Sequence, residues 1–149
     1  MSIVARVAPS EPHWGWRLAK TETGQFLFGN GERSMAQCSA AGKAVVSQTR
    51  ARAGEWFHVA GVRDFDSISI YVNGVLESKR ATVQPDAYAN GQDLMKIGGN
   101  DFDSAFLSGL VDEVALYWTP LSPAQVSALY EAGRLLDSRS RRRARGPGS

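Results

Sequence analysis

The most constraining stretch of the chain is residues 68–74, where Ile68, Ile70 and Val72 alternate with Ser69 and Tyr71 and run directly into Asn73-Gly74. Strict alternation places the three β-branched side chains on one face of a strand. Asn-Gly tolerates the paired positive φ angles of a two-residue type I′ turn, so the chain reverses there and returns over residues 75–81. The pattern predicts one buried face and one partly wet face, and a hairpin of that kind needs a second apolar layer to cover it. Just upstream, Trp56, His58, Ala60 and Val62 share one face of a further strand, and Phe57, Val59 and Gly61 the other. Both faces are largely apolar, which predicts an interior position.

The rest of the chain is punctuated in the same manner. Trp16, Leu18, Phe26, Leu27 and Phe28 flank a polar Thr21-Glu22-Thr23-Gly24 turn, which reads as a second hairpin over residues 15–30. Residues 32–43 are small and polar; Ala44-Val45-Val46 is compatible with a strand or a loop. A loop over residues 82–95 leads through Leu94, Met95 and Ile97 to Gly98-Gly99-Asn100. In residues 110–117, Leu110, Asp112, Val114 and Leu116 fall on one face, so the spacing predicts a strand carrying a carboxylate among apolar neighbours. Such a carboxylate has to be hydrogen-bonded, paired, metal-bound or at an exposed end. One helix is predicted, with Ser122 as N-cap, Pro123 at the first helical position, Gln125 completing a capping box, and Gly133 as its end. Val126, Leu129 and Tyr130 form its apolar stripe, which packs on the edge of a sheet.

Composition agrees with one β-rich domain. Of 149 residues, 43% are hydrophobic and 21% charged, while 15 glycines and 6 prolines supply turns that a helical bundle has little use for. No apolar run is long enough to span a membrane, and residues 1–16 hold no apolar core of signal-peptide length. Cys38 is the single cysteine and cannot form an intrachain disulfide. The formal charge of +2 divides unevenly. Residues 1–133 hold 11 Lys and Arg against 14 Asp and Glu, a charge of −3, whereas residues 134–149 hold six arginines. The domain is therefore read as residues 1–133, followed by an Arg-rich, disordered tail over 134–149. Nucleic-acid binding would rest on that tail alone and ranks last among the partners.

Several segments together resemble a known family: Glu55-Trp56-Phe57-His58-Val59-Ala60, Ile70-Tyr71-Val72-Asn73-Gly74, Ile97-Gly98, residues 106–117, and Leu121-Ser122 on to Tyr130. In order and spacing they resemble the laminin-G-like jelly roll of the concanavalin A-like lectin and glucanase superfamily, over residues 55–132. The resemblance implies an all-β fold, an antiparallel two-sheet β-sandwich with one short C-terminal helix. It also implies a strand region ahead of Ser2, so that Met1 falls inside the domain and a sheet edge is left exposed. An exposed edge predicts a homodimer. By the same resemblance the parent protein is secreted or on the cell surface, and its partners are a glycan or a protein surface.

Catalysis finds little support in the residues. Glucanase relatives on this scaffold carry E-x-D-x-x-E, which sets two glutamates about 5 Å apart for retaining hydrolysis. This chain lacks that pattern. Asp64 with Asp66 and Asp101 with Asp103 fall in loops, while Asp112 and Glu113 point to opposite faces. His58 sits in a buried-looking strand and His13 near the start, so neither is placed as a base. A structural Ca2+ is the one cofactor left open: Asp101 and Asp103 beside Asn100 offer oxygen ligands, and the resemblance implies that Asp112 serves relatives in this way. For ligand binding, Trp14, Tyr88 and Trp118 are candidate stacking surfaces for sugar rings, with Asn100 and Asp101 as hydrogen-bonding partners. Trp16 is divided between core and surface, and Trp56 is assigned to the core. The expectation is a non-catalytic recognition module using loops 63–67, 84–93 and 99–105. A degenerate glycan hydrolase and a structural or assembly domain are the alternatives.

Overall fold

The alternating run that opened the sequence analysis becomes β6 (Ser67–Val72), the middle strand of a three-stranded antiparallel sheet between β5 (Val59–Arg63) and β7 (Val75–Ala81). The computed structural model describes residues 1–7, 15–30, 43–81, 94–99 and 106–144. A second, five-stranded antiparallel sheet has the order β4-β3-β2-β1-β8, formed by β1 (Ser2–Val7), β2 (Gly15–Lys20), β3 (Gln25–Asn30), β4 (Ala44–Arg50) and β8 (Leu94–Ile97). One helix, α1 (Pro123–Ala144), follows. This is the antiparallel two-sheet sandwich expected from the sequence.

The core lies between the sheets. Phe26, Phe28 and Val45 from the larger sheet meet Ile68, Ile70 and Val72 from the smaller, and Trp16, Leu18, Phe57 and Val59 pack against them. Trp16 is thus partly buried against the core. β6 is buried at all six positions, Ser67, Ser69 and Tyr71 included, so its second face is drier than the alternation predicts. The layers approach most closely at Gly61, where a Cβ would lie 2.3 Å from the Phe28 ring. No side chain larger than hydrogen fits at that position.

Turn chemistry fixes the register. Asn73 and Gly74 take φ of 50° and 79°, as a type I′ turn requires. Asn73 also ties the turn to the chain ahead of β5: its N–H donates to the His58 carbonyl at 2.8 Å, and its Oδ1 accepts from the His58 N–H at 3.0 Å. In the β2–β3 turn, Gly24 has φ of 87° and the Thr21 Oγ1 accepts from the Gln25 N–H at 3.0 Å.

Among the described residues, side-chain hydrogen bonds between the two sheets lie along one flank. A bulge opposite Ile70 and Tyr71 re-aims Glu77, whose carboxylate accepts from the N–H groups of Gln48 at 2.7 Å and Thr49 at 2.9 Å, linking β7 to β4. At the other flank β5 and β8 are the last strands of their sheets. A cross-strand row shows the effect: Val45 is 3% exposed, Phe28 7% and Val4 6%, but Ile97, aligned with Val4, is 52% exposed. The five-stranded sheet extends past the three-stranded one, and its last strand lacks a covering layer among the described residues.

Three expectations are corrected. The strand beginning at Trp56 is not interior: pairing starts at Val59, β5 is terminal, and all its residues are half-buried. Its Phe57, Val59 and Gly61 face does turn inward, while Trp56, ahead of the ladder, is exposed. Residues 110–117 form no strand, and no backbone hydrogen bond joins residues 108–121 to a neighbouring strand among the described residues. A left-handed Glu113, with φ of 50°, breaks the alternation in the middle of that run. Finally, α1 does not stop at Gly133 but runs to Ala144, and residues 145–149 of the Arg-rich segment lie outside the described residues. Gly133 is absent from the positive-φ conformation that would end a helix, and Arg134 bonds back to Glu131 at 2.8 Å in the next turn. The helix start is as expected: the Ser122 N–H donates to Gln125 Oε1 at 2.8 Å and the Ser122 Oγ accepts from the Gln125 N–H at 3.3 Å.

Candidate functional site

The longest run of exposed apolar side chains along the sequence, among the described residues, lies between residues 106 and 118, after β8. Phe106 is 70% exposed, Leu110 80%, Leu116 57% and Trp118 98%. Val114 and Tyr117 are exposed as well. The chain passes through residues 110–117 without turn or bend and then bends at Trp118 and Thr119 ahead of Pro120. Because no β ladder holds this run, both of its faces reach solvent. Scattered exposed apolar residues are ordinary, but a contiguous run of this kind marks a contact surface.

Of the residues expected to bind a ligand, Trp118 is the one the structure describes. Trp14, Tyr88, Asn100 and Asp101 lie outside the described residues, as does Asp103. Asp112 is not in the core: it is exposed, and its Oδ1 accepts from the neighbouring Glu113 N–H at 2.8 Å. Its carboxylate holds the backbone of the next residue, and without a strand here no apolar face surrounds it. Among the described residues, no three His, Cys, Asp or Glu side chains gather within reach of one metal ion.

Two exposed aromatics escaped the sequence reading. Trp56 is 59% exposed and Phe65 is 82% exposed. Phe65 sits at the tip of the β5–β6 connection, where its N–H donates to Asp64 Oδ1 at 2.7 Å. Its position between Asp64 and Asp66 was the available signal, because an aromatic between turn carboxylates has no core to enter. No ring contact joins Trp118 to either residue among the described residues.

A second cluster forms where α1 meets the β6–β7 turn. Val126 is fully buried, and a Cβ on Gly74 would lie 3.1 Å from the Tyr130 ring. The His58 and Tyr130 rings are 6.0 Å apart, and the buried His58 Nδ1 has no hydrogen-bond partner among the described residues. Burial pushes the imidazole below its ordinary value, and the Glu113 carboxylate opposes that shift. This is a packing junction that holds helix to sheet.

The family model of the concanavalin A-like lectin/glucanases superfamily matches residues 1–127. The chain belongs to this superfamily. A solved structure with a similar fold is that of an S-layer domain-containing protein (residues 221–444) from Clostridium thermocellum ATCC 27405, at a TM-score of 0.51 and 17% identity. The similarity covers 87% of this concanavalin A-like chain and 64% of that one, so the chain spans less than two thirds of its neighbour's length. No curated protein matches the chain. No helix among the described residues of this concanavalin A-like domain is long and apolar enough to cross a membrane.

Proposed function

We propose that this concanavalin A-like domain is a non-catalytic recognition module that binds a glycan or a protein surface through its open flank, with Trp118 at the contact. The observation that carries the reading is the 98% exposure of Trp118 at the end of a continuous uncharged run. An indole free on both faces can stack on a sugar ring or fill a pocket on a protein. The reading is supported by three of the described carboxylates, Asp64, Glu77 and Asp112, each of which is engaged in accepting backbone N–H groups. A glycan array probed with the full chain, followed by tryptophan-fluorescence titration of any hit, tests the glycan form of this reading. Binding that disappears in Trp118→Ala while the fold is retained is the expected result. Release of sugar from laminarin or a related glucan overturns the non-catalytic assignment.

A second reading, an assembly domain without a small ligand, is favoured by the length of the apolar run, which exceeds what one sugar ring would cover. The S-layer domain-containing neighbour is compatible with it. Oligomers formed without any glycan signal distinguish it from the first reading.

A further inference from the structure

α1 meets the sandwich along a single line. Over residues 123–135, Val126 is buried, Tyr130 and Gly133 are half-buried, and every other residue is exposed. The covered positions therefore recur at i, i+4 and i+7 on one helix face. Ser127 and Tyr130 lie over the β6–β7 turn, where a Cβ on Gly74 would stand 3.2 Å from the Ser127 Cα and 3.1 Å from the Tyr130 ring. The Tyr130 ring faces His58, ahead of β5, with 6.0 Å between ring centres. Farther along, a Cβ on Gly133 would stand 3.7 Å from the Glu113 carboxylate. The cluster of Phe26, Phe28, Val45, Ile68, Ile70 and Val72 between the sheets includes no residue of α1. A helix attached by so narrow a stripe, outside the main core, belongs to the least stable end of a fold's local openings.

The polar atom closed in at this junction is the His58 Nδ1, which is buried and has no hydrogen-bond partner among the described residues. In the imidazolium both nitrogens are donors, so protonation would leave a charged N–H there without an acceptor. The groups that face the ring are the Tyr130 phenol from α1, the Glu113 carboxylate from the segment ahead of α1, and Asn73 from the β6–β7 turn, whose side chain is taken by the His58 N–H. Nearby, Glu131 pairs with Arg134 on α1, and Glu55 pairs with Arg52 ahead of the ring. Among the described residues Glu113 is the one charged group acting on the imidazole, and it favours the cation without outweighing burial.

We propose that α1 is an acid-released helix, which lies on the sandwich while the His58 ring is neutral and leaves it once the ring is protonated. Leaving returns Nδ1 to water, where the cation is solvated. Because the ring is harder to protonate when docked than when free, its share of the docking stability is complete above the free value near 6.5. That share is lost as pH falls from there towards the lower docked value. Release uncovers Val126 and the Gly74 turn and leaves the packing between the sheets in place.

Hydrogen exchange of the full chain, read residue by residue by NMR from about pH 7.5 to about pH 5 and corrected for intrinsic amide rates, tests the proposal. The amides of residues 126–133 are expected to be less protected than those of β6 at every pH. Their protection should fall about threefold or more below pH 6.5. His58→Phe, which keeps a ring in the same place and takes no proton, removes that fall. Glu113→Gln, which withdraws the charge favouring the cation, deepens it. Far-UV circular dichroism establishes that the variants are folded, and Glu113 is exposed, so its substitution carries the test should His58→Phe not fold. Equal protection in α1 and β6 would mean that the helix leaves only with the whole fold, and overturns the proposal. So does α1 protection that ignores pH in the wild-type chain, or a fall that survives His58→Phe or is unchanged by Glu113→Gln.

Discussion

Gly61 and Phe28 are the point at which a single atom decides how close the two sheets come. A Cβ at residue 61 would stand 2.3 Å from Cγ of Phe28, inside any van der Waals contact, and Phe28 is itself buried against Val45 and Ile70. Gly61→Ala is therefore an overpacking substitution, expected to cost about 1–3 kcal/mol in urea denaturation. In a Phe28→Ala background, which lacks Cγ and both Cδ atoms, Gly61→Ala is expected to cost less, since the atoms struck are gone. His58 decides a different property. Burial makes its imidazole harder to protonate in the folded protein than in the unfolded chain, whose value is near 6.5. As pH falls, the unfolded chain takes up the proton first, so this contribution to stability is complete above 6.5 and is lost between there and the lower folded value. Thermal denaturation is expected to show a melting temperature that declines below about pH 6.5, with His58→Gln flattening the decline. Because the Glu113 carboxylate opposes the shift, Glu113→Gln lowers the folded value further and carries the decline to lower pH.

At the scale of elements, strands and turns differ in what holds them. β3 and β4 meet at an irregularity between Gln25 and Leu27, and the Phe26 N–H there donates to the Ser47 hydroxyl at 2.8 Å instead of to a strand carbonyl. Ser47 is 1% exposed and its hydroxyl donates to the Thr49 carbonyl at 2.7 Å. Ser47→Ala leaves a buried N–H without an acceptor and is expected to cost about 1–3 kcal/mol by chemical denaturation. Nothing in the string Ala44-Val45-Val46-Ser47 announces this, because a bulge is a relation between two strands and the sequence shows one at a time. What was legible were the devices that act locally: the Asn73-Gly74 turn, the Thr21–Gly24 reversal, and the Ser122 and Gln125 capping box. The run at 110–117 was misread because period-two alternation reports a surface suited to a ladder and not the presence of a partner. Trp56 was misplaced for the same reason, since an edge strand and an interior strand share one pattern when the inward face is apolar. The end of α1 was misread at Gly133 because glycine is a common helix terminator that a helix interior also tolerates at a cost of about 1 kcal/mol. For the candidate site, Trp118 was named from its residue type and position, while the exposure of Trp56 and Phe65 needed the fold to show it.

Across the whole molecule, protection against solvent should follow the layering. The amides of β6, buried at every position, are expected to exchange with deuterium most slowly, and those of residues 108–118 fastest among the described segments in dilute, monomeric protein. Uniform exchange across both segments would contradict the layering itself. The Glu77 carboxylate has a further consequence for how this body comes apart. A book bound at one spine opens from its fore-edge, and here the binding is the clasp from β7 to β4 while β5 and β8 form the loose margin. Denaturant or mechanical pull gains entry between the unbound leaves first, so that margin, and not the clasped side, sets how long the protein stays shut.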